Sequence, residues 1–120
     1  MAESGNYTGE KPTMKTTDLN RVLKAIRATT GDMTLQRLNT LLTIAEADPA
    51  GISLGEVGKR CSLQQSNTSK LVRSWTHLTA TKQKGPAYVT AEADDMDLST
   101  KICRLTPRGR EFINTIFTEE

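Results

Sequence analysis

From Gln64 to Arg73 the chain reads QQSNTSKLVR, a run in which carboxamides and hydroxyls come first and cations follow. On a helix, Thr68, Leu71, Val72 and Trp75 recur at spacings of three and four and share one side. That leaves Gln64, Gln65, Ser66, Asn67, Ser69, Lys70 and Arg73 for the other side. Amide and hydroxyl groups donate and accept hydrogen bonds, which is the chemistry that reads base edges in a major groove, while Lys and Arg neutralise phosphate. A polar face is also what any solvated helix presents, so the assignment rests on the elements around it.

No other constellation offers a reaction. The single histidine, His77, stands near the end of the same helix, where a surface or capping role fits better than catalysis. Glu92, Asp94, Asp95 and Asp97 bring calcium-like oxygen chemistry without the ligand spacing or terminal Glu of a dedicated loop, so solvated charge is the plainer reading. Cys61 and Cys103 are too few for a disulfide framework and lack the paired spacing with histidine of a zinc site. Reduced thiols are expected. Cys61 follows Lys59 and Arg60, the surroundings a redox-active thiol needs, but a free cysteine is more often a small buried hydrophobe. With no phosphate-cradling glycine loop or nucleophile motif, the sequence points to no enzyme, no cofactor and no metal.

The elements that must hold the polar helix are legible from caps and periodicity. Residues 1–16 are polar, carry Gly5, Gly9 and Pro12, and read as a flexible arm. Thr17 or Asp18 can cap a first helix bearing the stripe Leu19, Val22, Leu23, Ile26, ended by Gly31. Thr34 begins a second, with Leu35, Leu38, Leu41, Leu42 and Ala45 expected on one face and Asp48-Pro49-Ala50-Gly51 as its stop. Ser53-Leu54-Gly55-Glu56 is a capping box for a short helix with Leu54, Val57 and Cys61 inward. Just past it, Ser62-Leu63-Gln64-Gln65 reads as a second box opening the polar helix, expected over about 63–77. Two capped helices across so tight a break match a helix-turn-helix, which shifts the weight from a solvated face toward DNA reading.

Tyr88–Ala91 and Thr100–Leu105 then read as a β-hairpin or wing over about 86–105, with an acidic loop between its strands. Thr106 and Pro107 open a last helix, 107–117, carrying Phe112, Ile113, Ile116 and Phe117. The fold class expected is mainly α with a small β-hairpin, a winged helix-turn-helix domain over 17–118.

Composition sets outer bounds. The chain's 120 residues suit one domain, and 36% hydrophobic with 4% aromatic residues supports a modest aliphatic core. The longest apolar stretches, such as Leu41–Ala45, cannot span a membrane, and the first residues lack the apolar run of a secretory signal, so a cytoplasmic location is expected. A net charge of +2 decides little, but charge is segregated. From Leu54 to Thr90 there are six basic residues, Lys59, Arg60, Lys70, Arg73, Lys82 and Lys84, against Glu56 alone, and the acids from Glu92 to Asp97 follow at once.

At this point the chain resembles the MarR family of bacterial transcriptional regulators, over roughly Met33 to Ile116. The resemblance is carried by Thr34–Leu42, by Gly51–Gly58, by Leu63–Val72 (LQQSNTSKLV), and by Leu105-Thr106-Pro107-Arg108-Gly109, in that order and at suitable spacing. It implies a regulator, expected to be a repressor, that binds double-stranded DNA with Gln64, Gln65, Ser66, Asn67, Ser69, Lys70 and Arg73 in or beside the major groove and with the wing near the minor groove. Where the family commonly has an Asp-x-Arg at the wing tip, this chain has Asp97-Leu98-Ser99 after further carboxylates, so contacts of the wing are expected from Lys82, Lys84, Lys101 or Arg104 instead. Nor does Leu78-Thr79-Ala80-Thr81 hold the glycine usual near the turn into the wing.

The resemblance also implies a homodimer. The chain stops where the family's long C-terminal helices would begin, so a reduced interface is expected from Leu19, Val22, Leu23 and Ile26 with Phe112, Ile113, Ile116 and Phe117, unless these fold back on the domain's own core. A small-molecule effector is not assumed. The rival reading keeps the fold but makes it a protein-interaction module, whose acidic hairpin, 92–97, docks on a basic partner such as the transcription machinery.

Overall fold

The computed structural model describes residues 14–77, 83–93 and 100–118. Among them the elements run α1 (Thr16–Thr30), α2 (Leu35–Glu46), β1 (Ile52–Ser53), α3 (Leu54–Cys61), α4 (Gln65–Arg73), β2 (Val89–Ala93), β3 (Lys101–Leu105) and α5 (Pro107–Phe117). They divide into two compact units, Met1–Gly31 and Asp32–Glu120. Most of the expected arm, residues 1–13, lies outside the described residues.

The first unit is α1. Its cap is Lys15 rather than Thr17 or Asp18: Asp18 sits one turn in, where its carboxylate accepts the Lys15 N–H at 3.2 Å and faces the positive end of the helix dipole. Gly31 ends the helix as expected, at a φ of +78° that L-residues avoid, donating its N–H to the Arg27 carbonyl.

In the second unit, Thr34 caps α2 by accepting the Arg37 N–H at 3.2 Å. The buried side of α2 is Leu38, Leu41 and Ile44 with Thr40 and Thr43, whose hydroxyls return to the Arg37 and Asn39 carbonyls at 2.7 and 2.8 Å, so neither is buried unsatisfied. Leu35, expected on the inner face, is 79% exposed. Nine residues at about 100° each place Leu35 half a revolution from Ile44, so a stripe stepped by three cannot keep both inside.

The sheet has three strands, not two, in antiparallel order β1-β3-β2. β3 is central: Val89 through Ala93 pair with Leu105 through Lys101, and Ile52 and Ser53 pair with Cys103 and Ile102 on its other edge. β1 is only two residues, too short for the alternation that reveals a strand in sequence. Behind the sheet lies the core of Leu38, Leu41, Ile44, Val57, Val72, Val89, Cys103 and Leu105. It also holds an aromatic stack: Trp75 lies 6.0 Å from Tyr88 and Tyr88 lies 4.4 Å from Phe112, centroid to centroid.

Thr106 and Pro107 open α5 as expected, the Thr106 hydroxyl accepting the Gly109 N–H at 2.9 Å and donating to the Ala87 carbonyl at 2.7 Å. Of the residues expected at an interface, Phe112 and Ile116 are buried, Phe112 in the aromatic stack, while Ile113 is half-buried and Phe117 exposed. In α1, Val22 and Ile26 are buried, Leu23 is half-buried and Leu19 exposed. No helix of the described residues is long and apolar enough to cross a membrane.

Both cysteines are free. Burial pushes the Cys103 thiol up from its ordinary 9.0 to about 11, with Lys101 pulling weakly the other way. The unfolded thiol ionises first, so this contribution is complete below pH 9 and is lost as pH rises toward 11, amounting to about 2–3 kcal/mol. Urea titrations from pH 8 to 11 are therefore expected to show a smaller loss of stability with pH for Cys103→Ala than for the native chain. Parallel profiles would contradict a buried, protonated thiol.

Candidate nucleic-acid interface

α3 and α4 form the helix-turn-helix. Ser53 caps α3 by accepting the Glu56 N–H at 3.2 Å, while the Glu56 carboxylate turns to Arg60 Nε at 3.1 Å rather than forming the second half of the expected box. The second expected box is corrected. Ser62 is not the cap of the next helix but the last link of α3, in the left-handed region at φ 57°, where its N–H and that of Leu63 satisfy carbonyls of the final turn. A residue that reverses the chain cannot also cap the next helix, and α4 starts at Gln65 with Gln64 as an N-cap that makes no side-chain cap bond.

The helices meet closely because residue 58 is glycine. A Cβ there would lie 2.7 Å from Thr68 Oγ1, and Thr68, itself buried, donates that hydroxyl to the Gln64 carbonyl. Thr68 and Val72 thus face inward on α4 as expected, and Trp75 is fully buried just past its end. α4 is shorter than the expected 63–77, closing at Arg73; residues 74–77 form turns that lead the chain back.

The outer side of α4 carries the residues singled out from sequence. Gln64, Gln65, Ser66, Lys70 and Arg73 are exposed, and Asn67 and Ser69 are half-buried. The carboxamides and hydroxyls occupy the first turns, the cations the last. Beyond α4 the segment 83–88 returns along 75–77, with Gly85 N–H donating to the His77 carbonyl and Tyr88 N–H to that of Trp75, both at 2.9 Å. This places exposed Lys84 near the end of α4.

The two cations expected on β3 are not brought together. Side chains alternate across a strand, and Cys103 and Leu105 face the core, so Lys101 shares their side while Arg104 is on the other. Arg104 lies across Gly51, whose added Cβ would stand 3.0 Å from Arg104 Cγ. Lys82 and the carboxylates Asp94, Asp95 and Asp97 lie outside the described residues; Glu92, on β2, is exposed.

Sequence reasoning missed the cleft between α4 and the hairpin. It measures about 320 Å³ and is floored by Leu54, Val72 and Ala91 and rimmed by Ser69, Arg73, Thr76, His77, Thr90, Glu92 and Lys101. Its positive groups come from two elements far apart in sequence, a helix and a strand, so no local motif announces it. The cleft thus sets two cations, Arg73 and Lys101, against one carboxylate, Glu92, with hydroxyls and an imidazole beside them, a mixed polar lining with a small positive excess.

No family model and no curated protein sequence matches the chain. Solved structures do. A mutant of S. aureus MepR bound to an oligodeoxyribonucleotide is similar at 16% identity and a TM-score of 0.63, covering 83% of this chain and 65% of that one. A MarR-family transcriptional regulator from Rhodococcus sp. RHA1 is similar at 19% identity and a TM-score of 0.61, with 83% and 62% covered. A transcriptional regulator from Thermotoga maritima is similar at 18% identity and a TM-score of 0.65, with the same coverage. The chain thus has the winged-helix fold of the MarR-type regulators and spans somewhat under two thirds of the length of these three structures. At these identities the likeness is one of fold.

Proposed function

We propose that this chain is a sequence-specific double-stranded DNA-binding transcription regulator that reads the major groove with α4. The observation that carries the reading is the split of α4 into a buried side, Thr68 and Val72, and an exposed side on which Gln64, Gln65 and Ser66 precede Lys70 and Arg73. Groups able to read bases sit on the helix's leading turns, and cations that position it on phosphates follow. Lys84 and Lys101 extend the positive surface toward the wing. The fold is shared with a protein solved bound to an oligodeoxyribonucleotide, which supports the same reading. Repression and a cytoplasmic location fit it. So does a homodimer on half-sites about one helical turn apart, with Leu19 and Phe117 as exposed apolar residues to be covered.

Fluorescence anisotropy against labelled duplex DNA at two salt concentrations tests the reading. Lys70→Ala and Arg73→Ala are each expected to weaken binding and to lower the slope of log affinity against log salt by about one. Unchanged affinity and slope in both variants would contradict it. If binding partners are instead lost only when Glu92, Asp94, Asp95 and Asp97 are neutralised, the protein-interaction module is the better account.

A further inference from the structure

α4 is only nine residues long, too short to hold its shape or direction without tertiary ties, and Lys70 and Arg73 stand on its last turn. Gly58 and Thr68 fix its leading half against α3. Its far end is tied to α2 through the Arg37 side chain. Arg37 Nε donates to Ser74 Oγ at 2.9 Å, and that hydroxyl donates on to the Leu71 carbonyl, a relay from α2 into the last turn of α4. Arg37 Nη2 donates to the Ser74 carbonyl at 3.2 Å, so a cation meets the negative end of the α4 dipole at its C-cap residue. The guanidinium also lies over the Trp75 ring, 4.1 Å from its centroid. The tie is reciprocal, because Trp75 Nε1 donates to the Arg37 carbonyl at 2.9 Å. Burial lowers the Arg37 pKa from its ordinary value, the mark of a cation drawn partly out of water to serve an internal contact.

We infer that Arg37 is a positioning residue for DNA binding: its fork on Ser74 and its stack on Trp75 set the end of α4 from which Lys70 and Arg73 reach phosphate. The inference rests on the DNA-binding reading of α4. Arg37 acts through Ser74 and makes its effect without contact to DNA. Lysine keeps the charge but has no planar fork to bond a hydroxyl and a carbonyl of one residue together.

The test titrates the full native chain, Arg37→Lys, Ser74→Ala and the double variant against DNA recovered by selection on the native chain. Each is measured well below its melting midpoint and at two salt concentrations. Arg37→Lys is expected to weaken specific binding about tenfold and lower the salt slope by about one, as a displaced phosphate contact would. Ser74→Ala is expected to weaken binding too, and the double variant to be little worse than Arg37→Lys alone, because both changes break one tie. Trp75 is the only tryptophan, and a shifted emission in Arg37→Lys reports that the stack has altered. A role in stability alone would lower the melting midpoint and leave affinity and slope at their native values in the folded variants, and that result overturns the inference, as does strict additivity. If the native chain itself selects no DNA, the DNA-binding reading falls and takes this inference with it. Native binding with an indifferent Arg37→Lys removes this inference alone.

Discussion

Trp75→Ala is expected to lower the free energy of unfolding by about 3–5 kcal/mol, as removal of a large aromatic from a packed core does. Against the roughly 5–15 kcal/mol that separates folded from unfolded domains, this is enough to leave the chain marginal at room temperature. Trp75 is 0% exposed and joins three elements at once. Its indole N–H holds the Arg37 carbonyl of α2, its ring stacks toward Tyr88, and its own carbonyl accepts both the Tyr88 and Val89 N–H groups at the start of β2, at 2.9 and 3.1 Å. Alanine keeps only the last of these. Trp75→Phe restores most of the apolar bulk and loses only the indole bond; the Arg37 carbonyl keeps the Thr40 hydroxyl, so the change should cost about 1 kcal/mol or less beyond the change in volume. Urea unfolding followed by far-UV circular dichroism measures both. A Trp75→Ala midpoint close to the native one would mean that the stack does not hold the helices to the sheet.

The second large effect is expected from the smallest side-chain change. At Gly109 an added Cβ would stand 2.1 Å from the Tyr88 carbonyl oxygen, a backbone atom that already accepts the Thr106 N–H at 3.0 Å. Neither group can swing aside as a side-chain tip could, so Gly109→Ala must push the first turn of α5 away from the start of β2. That breaks the joint that Thr106 makes by accepting from Gly109 and donating to Ala87. A loss above about 4 kcal/mol is expected, in the range where point changes unfold small domains. Gly55→Ala is the matched control: nothing lies within 4 Å of its added Cβ, and at this exposed position of α3 the change should stabilise by up to about 1 kcal/mol. Equal behaviour of the two variants in thermal melts would show that close approach at Gly109 is not what makes glycine necessary there.

Gly109 also shows what kind of information the sequence held. The run Leu105-Thr106-Pro107-Arg108-Gly109 was readable as a strand end, a cap, a first-turn proline and a family-like glycine, yet the reason for the glycine is a carbonyl from residue 88. Features that act within one turn of helix were legible: Thr34, Ser53 and Thr106 each cap the helix expected of them, and the two-sided character of α4 follows from its spacing alone. Local rules failed where one residue had two possible uses. Ser62 suits an N-cap, but the turn needed it in the left-handed region, and a preference for one use says nothing about the other. Leu35 matches a stripe of three-residue steps, but the core side of α2 runs through Leu38, Leu41 and Ile44 and leaves Leu35 outside.

Everything built from distant segments was out of reach. β1 exists only as the partner of Cys103 and Ile102, the aromatic stack draws on residues 75, 88 and 112, and the cleft beside α4 joins Arg73 to Lys101. The separation of Lys101 from Arg104 onto opposite faces was available in principle, since a strand alternates, but only once the register showed which face carries Cys103 and Leu105.

The most direct test of the central claim is selection from random duplex DNA by the native chain, followed by anisotropy titration of the recovered sequence against bulk DNA for native protein and the Asn67→Ala, Arg73→Ala double variant. The account predicts a recovered motif bound at least about a thousandfold more tightly than bulk DNA, as specific regulators achieve, with that preference lost in the double variant while its melting curve is unchanged. Recovery of no motif, or a motif bound equally well by the double variant, would contradict it.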